Sequence, residues 1–138
     1  MDINRYFDAT REVALNSEFY KAHIGCIAVY KGKIIAKGYN QSKTHPMQMK
    51  YNRYREMNYT CKNMLAKVHA EVKVLSQIKN MDIDFKKVKL FIYRARVDRP
   101  YSISRPCQAC MKAIIDLGIK DIYYTTDNGY AHEIVLDK

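Results

Sequence analysis

Four side chains in this sequence are of types that chemistry uses, at spacings that chemistry requires. His69 and Glu71 lie two residues apart, and Cys107 and Cys110, preceded by Pro106, follow after residues 72–105. One imidazole and two thiolates supply the three protein ligands of a catalytic zinc, which keeps a fourth position open for water. His69, Cys107 and Cys110 are therefore the expected ligands of a Zn2+ ion. Glu71, placed just beyond the histidine at the start of a helix, can approach the metal-bound water without binding the metal, which suits a proton shuttle. A lone C-x-x-C also serves redox pairs and structural zinc sites. A closed structural site needs a fourth ligand, and neither Cys26 nor Cys61 has a C-x-x-C neighbour.

The elements that must position these groups follow from periodicity and punctuation. Val68, Val72, Leu75 and Ile78 recur at helical spacing, so residues 69–80 form a helix with His69 and Glu71 in its first turn. Pro106 pre-sets the backbone before Cys107, and Ala109, Met111, Ala113, Ile114 and Leu117 continue a helix that Gly118 closes. Cys107 and Cys110, three apart, share one face of it. The positive end of that helix favours thiolates, the form that zinc binds. Upstream, Ile3, Tyr6, Phe7, Thr10, Val13 and Ala14 mark an amphipathic helix over 3–16, followed by a hairpin of 24–30 and 34–38 around Lys31-Gly32-Lys33. Val88 to Tyr93 reads as a buried central strand, and strands over 120–126 and 131–136 flank the turn Asp127-Asn128-Gly129. The order is helix, two strands, helix, strand, helix, two strands.

Binding residues are sought around this frame. Asn40, at the end of the second strand, is either a sugar or phosphate contact or a turn asparagine bonding its own backbone. Residues 41–67 carry Lys43, Lys50, Arg53, Arg55, Lys62 and Lys67 against the single acid Glu56, interleaved with Tyr51, Tyr54 and Tyr59. Such a mixture suits a phosphate backbone with stacked bases, with Tyr51 and Arg53 as contacts. The tyrosines equally suit a helix anchored on the core. His45 is either a pocket residue or a surface histidine. Arg94, Arg96, Arg99 and Arg105 form a second basic cluster leading into the cysteine motif, and Arg96 and Arg99 are its candidate substrate contacts.

The chain of 138 residues reads as one domain over 1–138, with 48% apolar and 28% charged residues and a net charge of +10. That charge implies attraction to polyanions or phosphorylated ligands. No stretch is long and apolar enough to span a bilayer, and no membrane partner is expected. The start Met-Asp-Ile-Asn-Arg lacks the features of a secretion signal. With two of four cysteines assigned to metal, Cys26 and Cys61 are expected as free thiols and the cytoplasm as the compartment.

The two motifs in this order make nearly the whole chain resemble the cytidine deaminase-like superfamily, which includes cytidine, deoxycytidylate, tRNA adenosine and polynucleotide cytosine deaminases. The resemblance implies an α/β fold of three layers, a five-stranded mixed sheet with helices on both faces, and zinc held between the starts of two helices. It implies that His69, Cys107 and Cys110 bind zinc, that Glu71 moves protons, that the Ala70 backbone amide contacts the base and that Asn40 contacts the sugar. The insertion before His69 is similar to that of deoxycytidylate deaminases, without their usual additional zinc ligands. The Asp127-Asn128-Gly129 turn is similar to the branch whose last two strands form an antiparallel hairpin.

The expected reaction is hydrolytic conversion of cytosine to uracil. Single-stranded DNA or RNA is the favoured substrate on charge, with free cytidine or deoxycytidylate as the alternative and purine deamination behind both. A nonenzymatic zinc-stabilised nucleic-acid-binding module would keep the charge and the metal but have no use for Glu71. Monomers and oligomers are both compatible with the sequence.

Overall fold

The structure, a computed structural model, describes residues 2–17, 23–41, 45–51, 69–96, 99–102 and 104–135. Its elements in chain order are α1 (Ile3–Ala14), β1 (His23–Tyr30), β2 (Lys33–Tyr39), α2 (Pro46–Tyr51), α3 (Ala70–Ile78), β3 (Val88–Arg96), β4 (Arg99–Ser102), α4 (Gln108–Leu117), β5 (Asp121–Thr126) and β6 (Gly129–Ile134). A single 3-10 turn at Phe85–Lys87 leads into β3. Among the described residues no helix is long and apolar enough to cross a membrane.

The sheet runs β2-β1-β3-β5-β6, with β3 and β5 parallel and the other neighbours in that path antiparallel. This is the expected five-stranded mixed sheet, closed by the β5–β6 hairpin. The short β4 is an addition. Arg94 pairs with Ile24 of β1 on one edge and with Ser102 of β4 on the other, beyond the last β3–β5 pair at Ile92 and Tyr124. A strand that outruns its partner leaves backbone groups to satisfy, and β4 folds back to do so.

Alternation along the strands builds two cores. On one face Val88, Leu90 and Ile92 of β3, with Cys26 and Ala28 of β1, pack against Val74, Leu75 and Ile78 of α3 and Ala113 and Ile114 of α4. On the other, Phe91, Tyr93 and Ala95, with Ile27 and Val29, pack against Tyr6, Phe7 and Val13 of α1. The result is three layers, α1 below the sheet and α2, α3 and α4 above it. Helix α1 lies directly on the β1 backbone, where a Cβ on Gly25 would sit 2.5 Å from the Ala14 nitrogen and 2.6 Å from the Thr10 carbonyl oxygen.

Strand polarity sets where chemistry can occur. β2 and β3 are each antiparallel to β1, so they run the same way and end on the same side of the sheet. Gly38 near the end of β2 lies against Ala70 and Lys73 in the first turn of α3, and Ser104, just before α4, bonds to Ile92 of β3 and Thr125 of β5, so both helices begin at that side. This is the end of an α/β sheet at which ligands bind.

Candidate metal centre and active site

The first turns of α3 and α4 bring the metal-ligating residues together. His69 is the N-cap of α3 and Cys107 the N-cap of α4, and neither side chain makes a capping hydrogen bond. The His69 Nδ1 lies 3.2 Å from Cys110 Sγ and 3.6 Å from Cys107 Sγ, and all three donor atoms fall within 4.8 Å of one another. Two donors held about 2.1 and 2.3 Å from one zinc at the tetrahedral angle lie about 3.5 Å apart. The spacing and the one-nitrogen, two-sulfur donor set therefore fit zinc.

Glu71, only 5% exposed, sits beside this cluster in the first turn of α3. Burial pushes its carboxyl up from the ordinary range. The positive charge of His69 opposes that rise, negative charge at Cys107 adds to it, and hydrogen bonds to its own amide and to Cys110 oppose it further. The Cys107 thiol is held down to about 3 by a hydrogen bond from Cys110, against burial and with help from His69. Cys110 moves the opposite way, well up, through that same bond, burial and the nearby Glu71. The two thiols are driven in opposite directions, and a divalent cation would allow both to ionise beside a carboxylate.

Packing around the motifs fixes the ligands. Gln48 of α2 is fully buried, and its Oε1 accepts the His69 backbone N–H at 3.0 Å. Met47 and Cys107 each pack against the small cluster of Val72 and Cys110. On the other side, Ser104 donates through its backbone N–H to the Thr125 carbonyl at 2.9 Å and through Oγ to the Ile92 carbonyl at 3.0 Å. The next residue, Arg105, grips Glu133 of β6 with two bonds of 2.9 and 3.0 Å. These contacts seat the segment that delivers Pro106 and Cys107.

The remaining candidates divide. Ala70 is buried as the first residue of α3, where its N–H belongs to the amides that intrahelical bonding leaves over. Asn40 closes β2, its Oδ1 accepting the Ile24 N–H at 3.0 Å and its own N–H donating to the Ile24 carbonyl at 3.1 Å. Both bonds join the end of β2 to β1 rather than to the asparagine's own turn. His45 caps α2, its Nδ1 accepting the Met47 N–H at 3.1 Å, and it borders a cleft of about 540 Å³ with Lys50, Lys79 and Asp116. Tyr51 corrects the stacking expectation: it is 5% exposed and its hydroxyl donates to Asp116 at 2.8 Å, so it anchors α2 on α4. Arg96 and Arg99 face one another as backbone partners across β3 and β4. Arg53, Tyr54, Tyr59 and Cys61 lie outside the described residues, while Cys26 is a buried free thiol as expected.

Sequence reasoning missed Gln48, Ser104 and Thr125. A signal for α2 did exist, because Pro46 stands at the first helical position, where its missing N–H is no loss. Nothing in residue type marks Gln48 as the partner of His69.

A three-layer sheet whose two helix starts assemble one imidazole, two thiols and a buried carboxylate defines the class: a zinc protein built for proton-coupled hydrolytic chemistry. The model of the cytidine and deoxycytidylate deaminase zinc-binding region matches residues 2–126, and the chain belongs to that family. No curated protein sequence matches it. Among solved structures, the apo deoxycytidylate (dCMP) deaminase of cyanophage S-TIM5 is similar over 89% of this chain and 81% of its own, at 21% identity and a TM-score of 0.59. The same enzyme in complex with dCMP and dUMP is similar over 89% of this chain and 79% of its own, at 22% identity and 0.59. A cytidine deaminase from Burkholderia pseudomallei is similar over 98% and 94%, at 13% identity and 0.63. At these identities the likeness establishes the fold.

Proposed function

We propose that this protein is a zinc-dependent hydrolase that deaminates the cytosine base of a free cytidine nucleotide, with deoxycytidylate as the first substrate to try. The observation that carries the chemistry is the buried carboxylate of Glu71 beside the His69, Cys107 and Cys110 cluster. Membership of the cytidine and deoxycytidylate deaminase family supports the substrate class, as does a structural neighbour seen with dCMP and dUMP.

His69, Cys107 and Cys110 hold the metal, which when bound supplies Lewis acidity that brings a water's pKa toward neutrality. Glu71 takes the first proton released as water adds to the amine-bearing carbon and delivers it to the adjacent ring nitrogen; it then takes the second proton, from the new hydroxyl on that carbon, and passes it to the departing amine as the carbon–nitrogen bond breaks. Cytosine and water leave as uracil and ammonia, and the carboxylate is regenerated. The Ala70 backbone amide and Asn40 are assigned to the base and the sugar. His45, Arg53, Arg96 and Arg99 are candidates for the phosphate.

A second reading, cytosine deamination within single-stranded DNA or RNA, is favoured by the net charge of +10. One assay separates the two: uracil formation by purified protein from deoxycytidylate, cytidine and single-stranded oligomers. Deoxycytidylate turnover at least as efficient as that of an oligomer is expected. Turnover of the oligomer alone would replace this assignment with the second reading.

A further inference from the structure

We propose that the end of the sheet opposite the metal centre carries a second binding surface, a lysine-lined cleft that takes the phosphodiester backbone of single-stranded nucleic acid independently of deamination. The cleft, about 350 Å³, is lined by Lys31 and Gly32 of the β1–β2 turn, Lys86 and Lys87 of the 3-10 turn, and Val29 and Lys89 of the adjoining strands. Three chain segments thus bring four lysines to one concavity, the Lys31 Nζ lying 5.3 Å from the centroid of the Tyr30 ring.

The platform beneath them is fixed. Lys31 and Gly32 take positive φ angles of 52° and 80°, the conformation of a tight hairpin turn, and the Tyr6 hydroxyl donates to the Gly32 carbonyl at 2.8 Å. Asp84 caps the 3-10 turn by accepting the Lys86 N–H at 3.1 Å. Among the described residues no carboxylate forms an ion pair with any of the four lysines. Asp121, the neighbour of Lys89 on β5, is engaged by His132 at 2.8 Å.

Two independent paths show that this cleft is not part of the catalytic centre. Lys33 opens β2, and Gly38, five residues on, touches the first turn of α3, a span of about 16 Å at strand rise. Gly118, which ends α4, lies against Phe85 of the 3-10 turn, whereas Cys107 begins α4, again about 16 Å away at helical rise. The Debye length at physiological salt is about 8 Å, so these exposed charges act little on a nucleotide at the metal.

The chemistry of the cleft points to a polymer. Lysines are point charges without the planar fork that reads one phosphate or base specifically, and no buried polar side chain lines the cleft. Such a surface gains affinity by releasing counterions from several phosphates at once. This also gives a place to the positive charge that deamination of a free nucleotide leaves unexplained.

The test is a salt titration of binding to fluorescent oligothymidylate and oligouridylate, comparing wild type with Lys86→Gln/Lys87→Gln. The log-log slope is expected to flatten by about 1.4 in the double variant, about 0.7 for each phosphate no longer neutralised, and equally for DNA and RNA. Zinc content, melting temperature and deoxycytidylate turnover should stay at the wild-type level. The proposal is overturned if wild type binds neither oligomer at low salt, if the folded double variant keeps the full slope, or if it loses deoxycytidylate turnover. Because the slope is read without catalysis, absence of deaminase activity in the wild type would remove the proposed function and leave this comparison decisive.

Discussion

A carboxylate buried beside two thiols is costly to ionise, and at Glu71 that cost has a use. Burial raises its carboxyl above the ordinary range, which makes it a better proton acceptor. Glu71→Gln keeps the shape and removes the shuttle, so zinc content and fold should match wild type while turnover falls by a factor of about a hundred or more. Near wild-type turnover would mean that another group moves the proton. Gln48 works one step further out, because its amide oxygen fixes the backbone of His69. Gln48→Leu should speed zinc loss to a chelator about tenfold, the usual scale for groups that orient a ligand. Gln48→Glu, which restores an acceptor, should recover part of that. Equal zinc dissociation in Gln48→Leu and wild type would reduce Gln48 to core packing.

At the scale of elements, the loop that delivers Cys107 is tied to β6 by Arg105 and Glu133. The guanidinium bonded to Glu133 holds its carboxyl below the ordinary 4.5. A depressed folded pKa contributes stability that is present above the unfolded value and lost as pH falls through the folded one. Glu133→Gln should therefore lower stability by about 0.5 kcal/mol at neutral pH, a small figure because both side chains are partly exposed. The difference from wild type should close in acid melts below the folded pKa, and a difference persisting there would assign the effect to packing. Gly25→Ala should be far more damaging, about 3 kcal/mol in chemical denaturation, because the new methyl meets the α1 backbone, which has no rotamer to give. What the sequence made legible has the same logic. His69, Glu71, Cys107 and Cys110 could be read because ligation demands those residue types and helix starts demand that spacing. The long strands and helices could be read because each repeats its apolar period several times. Helix α2 has six residues and β4 four, one of them Pro100, which is too short for a period to show. Tyr51 was ambiguous because an apolar ring with a hydroxyl suits a core anchor as well as a stacking platform, and only Asp116 on a distant helix decides between them.

At the scale of the molecule, the metal is a tie between two helices rather than the keystone of either core. Its ligands stand at the starts of α3 and α4, and none is among the buried residues of the two main cores, around Leu90 and Ile114 on one face and Phe7 and Phe91 on the other, although Cys107 packs against the first. Chelation should then leave a folded protein with unchanged far-UV circular dichroism and a lower melting temperature. A ligand present at a thousand times its dissociation constant contributes about 4 kcal/mol. At about 3 °C per kcal/mol for a chain of this length, the melting temperature should drop by about 12 °C on metal removal and return when zinc is restored. Cys107→Ser should already melt near the lower value and respond little to chelator, because the ligand set is broken before the metal is removed. Two outcomes would contradict this view of the fold. An unchanged melting temperature in wild type would mean that the cluster does not hold the metal, and full unfolding at room temperature would mean that the cores cannot stand without it.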